Sequence, residues 1–144
     1  MAASGTIGFI VQDVPDAFRD RARLRKWLRM VASAHGSRID AVNFVLMNEK
    51  ALLHYNTTFL HHDDHTDVIT FPVESNNGVA GDILISYPRI KENARIYGVS
   101  AQHELRRVMV HGLLHLLGHR DKSKAQRIAM QVQENLFLGR FPRS

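Results

Sequence analysis

The chain has 144 residues, enough for one domain with one sizeable core. With 44% hydrophobic and 23% charged residues it reads as an ordinary soluble globular protein, and with no cysteine it excludes disulfides, thiolate metal knuckles and a cysteine nucleophile. A formal net charge of +5 and a pI of about 10.0 suit a polyanionic partner such as RNA, and equally suit plain solubility.

The first ten residues, "MAASGTIGFI", lack a basic segment followed by an apolar one, so no secretory signal is expected. No apolar run reaches the ~18 residues of a membrane span, and a cytoplasmic, soluble protein is the expectation. "IGFIVQD" reads as a strand. Asp13 or Asp16 then opens a helix with Pro15 in its first turn. Ala17, Arg21, Leu24, Leu28 and Val31 recur at helical spacing, which carries this helix to about Ala34. Arg19, Arg23 and Lys26 lie opposite, with Arg21, Arg25 and Arg29 along a flank. Such a charged face normally meets water; the alternative is docking of phosphate.

"AVNFVLMN" is a second strand and "NEKALLHYNTTF" a short helix. "HHDDH" (61–65) reads as a solvated polar loop, with a second metal cluster as the alternative. "DVITFPV" and "GDILIS" are strands separated by the turn "ESNNG", close enough to pair as a hairpin. Ser86 and Pro88 start a helix that Gly98 stops, Ser100 caps the next, and Ser123 with Gln126 forms a capping box for a last helix to about Leu138. The order β-α-β-α-β-β-α-α-α predicts a single α+β domain over 1–144. Its sheet is mixed, mostly parallel and about four-stranded, packed with about five helices.

One stretch carries chemistry. "HGLLHLLGHRD" (111–121) puts two imidazoles four residues apart in an apolar helix. At that spacing His111 and His115 share one face and can converge on one divalent ion at ~2.0–2.1 Å. The alternative is a pair of core histidines satisfied by backbone carbonyls. If Gly118 ends the helix in a left-handed cap, the chain reverses and Asp121 swings back as third ligand, with His119 beside the site; if the helix continues, His119 is the alternative third ligand. The pattern H-x-x-x-H-x-x-G-x-x-D has the spacing of metzincin-type zinc sites with a last aspartate. A zinc protease of that type has Glu after the first histidine as general base; here the residue is Gly112. His103 and Glu104, two turns earlier, read as a surface ion pair.

Together, "TDVITFP" (66–72), "GDILIS" (81–86) and "ELRRVMVHGLLHLLG" (104–118) resemble the YbeY family, bacterial single-strand-specific endoribonucleases of ribosomal RNA maturation. The resemblance runs from about Asn48 onward. It implies a mixed sheet with helices and one zinc ion at the end of a buried helix, held by His111, His115 and Asp121. The family usually has a histidine at this last position. Asp82 matches the aspartate of the family's "GDI" strand and is the candidate catalytic residue; the alternative is a structural role at the strand start. The family's arginine before the "TDV" strand falls on Leu60, so Arg89, Arg106 or Arg107 would have to replace it. The resemblance further implies single-stranded, ribosomal RNA as substrate, the small ribosomal subunit as partner and a cytoplasmic location. A non-catalytic zinc-containing ribosome-assembly factor and a zinc peptidase or amidase are the alternatives.

Overall fold

The computed structural model describes residues 5–60 and 66–143, so "HHDDH" (61–65) lies outside the described residues. Nine elements follow in the expected order: β1 (Thr6–Val11), α1 (Arg21–Ala34), β2 (Ile39–Met47), α2 (Glu49–Leu60), β3 (Val68–Val73), β4 (Val79–Ser86), α3 (Tyr87–Tyr97), α4 (Ala101–Leu116) and α5 (Lys124–Leu138). The sheet runs β1-β2-β4-β3. β1 is parallel to β2 and β2 to β4, while β3 and β4 form the antiparallel hairpin. No helix among the described residues is long and apolar enough to cross a membrane.

The sheet is covered on both faces, which explains why its central strands are nearly continuous apolar runs. On one face Val42, Phe44 and Leu46 of β2 and Ile83 and Ile85 of β4 meet Leu28 and Val31 of α1, Ile90 of α3, Met109 and Leu113 of α4, and Phe137 of α5. On the other face Val45, Met47 and Leu84 meet Leu52 of α2 and Ile69 of β3. α4 is therefore a core helix, pressed on β4. The buried Trp27 donates its indole N–H to the Phe137 carbonyl at 2.8 Å, tying α1 to the end of α5.

Three caps fall where the side chains require them. Ser86, Ser100 and Ser123 each accept from the backbone three residues on, and Gln126 completes the capping box at Ser123. The first helix is the exception. It starts at Arg21, capped by Asp20, and not at Asp13 or Asp16. Asp16 instead accepts from Phe18 N at 3.0 Å, a local Asx-type bond that competes with helix formation. That turn delivers Ala17 and Phe18 into the core as irregular chain, with Phe18 5.0 Å from Phe9. The flank arginines also do more than meet water. Arg25 and Arg29 donate to the carbonyls of Ile7 and Gly5 at 3.1 and 2.9 Å, blunting the open edge beside β1.

Candidate metal centre

α4 ends on a glycine-dependent reversal. Gly118 has φ +104°, a conformation that side chains other than glycine rarely adopt. Its N–H donates to His115 O and that of His119 to Leu114 O, both at 3.0 Å. This is a Schellman closure, which satisfies carbonyls the helix end would leave bare. The chain turns back over the last turn of α4 and brings Asp121 to the two histidines.

His111 and His115 have opposed imidazole Nε2 atoms 3.1 Å apart. Asp121 Oδ2 lies 3.2 Å from His115 Nε2 and 3.6 Å from His111 Nε2. Tetrahedral ligands bonded at ~2.0–2.1 Å stand about 3.3 Å from one another, so the three atoms have the spacing of one face of such a site. The other ring nitrogens explain why. His115 Nδ1–H donates to the His119 carbonyl at 3.1 Å, and His111 Nδ1–H to Glu134 Oε2 at 2.6 Å. In the neutral tautomers that these bonds select, both Nε2 atoms present lone pairs with no hydrogen between them. A cation set between them would accept both lone pairs. His111, His115 and Asp121 are the group among the described residues that could hold a metal ion.

Glu134 was not legible as a site residue. It sits on α5, 3% exposed, and its Oε1 accepts from Arg107 at 3.1 Å. Arg107 also makes a two-pronged bond to Glu104. Glu104 is 1% exposed, which corrects the reading of a surface ion pair: the carboxylate is buried because Arg107 follows it one turn later. These bonds, led by the one to Glu104, hold the Arg107 guanidinium well above its ordinary range against the opposing cost of burial. A chain Glu104–Arg107–Glu134–His111 thus fixes the first imidazole. The signal was helical phase: Glu134 follows Met130 by four and precedes Phe137 by three, on the inward face of α5.

His119 does not join the three candidate ligands. Its Nε2 lies 2.8 Å from His35 Nε2, and its pKa is lowered by burial first and then by His35 and His115. Its backbone carbonyl, not its ring, serves the centre. Nor does the structure bring Asp82 to the cluster. Along β4, Gly81 faces Leu116 and Ile83 faces Gly112, so Asp82 points to the opposite side of the sheet. There it is exposed and accepts from Asn43 Nδ2 at 3.2 Å.

The metal group opens into a cleft of about 980 Å³ between α4 and the edge strand β3, bounded by Asn56, Leu60, Asp67, Thr70, Arg107 and Arg120 among others. Of the three arginines considered as replacements at Leu60, Arg107 lines this cleft. Arg89 pairs with Glu49 at 2.7 Å, and Arg106 stacks 4.2 Å from the Phe141 ring centre. Arg120, between the turn and Asp121, is exposed and has no carboxylate partner among the described residues. Gly112 accounts for the missing protease glutamate. A Cβ there would sit 2.7 Å from Ile83 Cγ2, a fully buried branched side chain, so any larger residue forces the helix or Ile83 to shift.

Fold and site define an α+β protein in which two histidines and one carboxylate that could hold a metal ion meet at the end of a buried helix. Residues 12–142 match the family profile described as endoribonuclease YbeY. The protein called endoribonuclease YbeY in Cytophaga hutchinsonii is 38% identical over 134 residues, covering 92% of this chain and 94% of its own. The protein of that name in Parabacteroides distasonis is 29% identical over 136 residues, covering 94% and 96%. A solution structure from Thermotoga maritima superposes with a TM-score of 0.64 at 27% identity, over 94% of this chain and 91% of that one. The chain belongs to the YbeY endoribonuclease family.

Proposed function

We propose that this protein is a zinc-dependent endoribonuclease that cleaves single-stranded RNA, acting in the cytoplasm on ribosomal RNA in association with the small ribosomal subunit. The observation that carries the reading is the convergence of two bare imidazole nitrogens and Asp121 Oδ2 at the floor of an open cleft. The name borne by its relatives supports RNA as the substrate class. Two nitrogens and one carboxylate with room for a fourth ligand suit zinc. When bound, the ion supplies Lewis acidity toward a phosphoryl oxygen and acidifies water.

The chain's own groups supply the rest. Glu134 and the His119 carbonyl hold both rings in the ligating tautomer. Arg120 offers an uncommitted guanidinium to a backbone phosphate, a role that Leu60 cannot fill. We assign Asp82, which accepts from Asn43 Nδ2 on the opposite face of the sheet, a structural role and not a catalytic one. The peptidase alternative lacks a proton acceptor at Gly112, and a side chain placed there would displace Ile83.

The test is cleavage of a labelled single-stranded RNA and its duplex by wild type and His111→Ala, with and without a chelator. The reading expects zinc-restored cutting of the single strand by wild type only. Folded, zinc-loaded protein that cuts no RNA would instead establish the assembly-factor alternative. Product ends distinguish the route: a 2′,3′-cyclic phosphate marks attack by the 2′-hydroxyl, and its absence marks water.

A further inference from the structure

Around the outer edge of the sheet from the cleft lies an aromatic group that the metal centre does not use. Phe59, on the last turn of α2, leaves 58% of its surface exposed. Its ring is stacked on Tyr55 at 5.7 Å and 25°, and meets Phe71 edge-on at 6.1 Å and 86°. Tyr55 and Phe71 are themselves packed on the small core of Val45, Met47, Leu52, Ile69 and Leu84. The two inner rings therefore back the third, which is presented to solvent.

Its position relates it to the metal. Asn56 and Leu60, three before and one after Phe59, line the cleft. Phe71 pairs with Asp82, and Pro72 with Gly81. A Cβ at Gly81 would sit 3.0 Å from Leu116, the residue after His115. Phe71 is thus level with the metal group along the strands but on the opposite face, and β3 between them is an edge strand. A polymer that left the cleft across that edge would meet the Tyr55–Phe71–Phe59 surface next.

We infer that Phe59, backed by Tyr55 and Phe71, is a stacking platform for an unpaired nucleobase of the RNA whose backbone occupies the metal cleft; this rests on the ribonuclease reading above. The chemistry is that of a π-face. The three rings carry no charge, so the platform takes a base and not a phosphate. Every base has a stackable face, but only one freed from a duplex can splay onto a side chain. The platform thereby contributes preference for single strands without reading sequence.

The test is a double-mutant cycle between protein and RNA. Zinc-loaded wild type, Phe59→Ala, Phe59→Leu and Phe59→Tyr are assayed on a short single-stranded RNA and on versions with one base removed at successive positions. Phe59→Ala should raise KM roughly ten-fold with kcat unchanged. Phe59→Tyr should restore it, and Phe59→Leu, equally apolar but without a π-face, should not. At one position, removing the base should cost wild type as much as Phe59→Ala does and cost Phe59→Ala nothing further. Effects that multiply at every position, or full rescue by leucine, would overturn the platform while the nuclease stands. The same cycle read by fluorescence anisotropy separates the two claims: coupled binding without cleavage overturns the nuclease reading alone.

Discussion

A ring proton decides what a histidine can offer from its other nitrogen. At His111 that decision is made by Glu134, 23 residues away in sequence and 2.6 Å away in space. Glu134→Gln keeps the shape but removes the negative charge that Arg107 and His111 share. Its expected effect is a loss of about 10–100-fold in zinc affinity, read by competition with a chromogenic chelator. Unchanged affinity would show that His111 needs no such support. The grouping of His111, His115 and Asp121 was legible because their spacing is local, four and six residues on a helix and its cap. Glu134 was not, because its partners come from packing, and the burial of Glu104 was not, although its partner Arg107 stands one turn on. Only their phase on otherwise inward faces marks them. Strand parity would likewise have placed Asp82 away from the histidines, since it shares a face with Leu84 and not with Ile83.

At the scale of elements, two glycines set the geometry of α4. Gly118 makes the reversal that returns Asp121. Gly118→Ala should cost about 1–2 kcal/mol in urea unfolding with chelator present and also weaken zinc binding. A stability loss with full zinc affinity would mean Asp121 is placed by something other than this turn. Gly112 lets α4 approach β4, and Gly112→Ala forces a methyl against Ile83. About 1–3 kcal/mol should be lost in the same assay, since overpacking of a dense core strains its neighbours. A neutral result would mean the helix can lift from the sheet at no cost. The reversal was readable from Gly118 and the polar residues after it. The close approach was not, because nothing local shows what a helix will face. The late start of α1 was hidden for a related reason: Asp16 and Pro15 carry valid helix-start chemistry, but the core takes Phe18 as irregular chain.

Across the whole molecule, the order of elements and the mixed pairing were legible because hydrophobic period, caps and turns agreed along the chain. The insertion of β4 between β2 and β3 was not, since it depends on which strand β4 meets beyond its hairpin partner. The centre joins α4, the following turn and, through Glu134, α5, so an ion bound there should stabilise the fold as a unit. Zinc at 100 times its dissociation constant should add about 2.7 kcal/mol, seen as a rise in Tm that a chelator reverses. No rise would mean that the folded chain binds no zinc in preference to the unfolded one. The most direct measurement is the zinc content of purified wild type, His111→Ala, His119→Ala and Asp121→Ala after loading and dialysis. The account predicts one ion per chain in wild type and His119→Ala and none in the other two. Zinc retained by Asp121→Ala and lost from His119→Ala would contradict it.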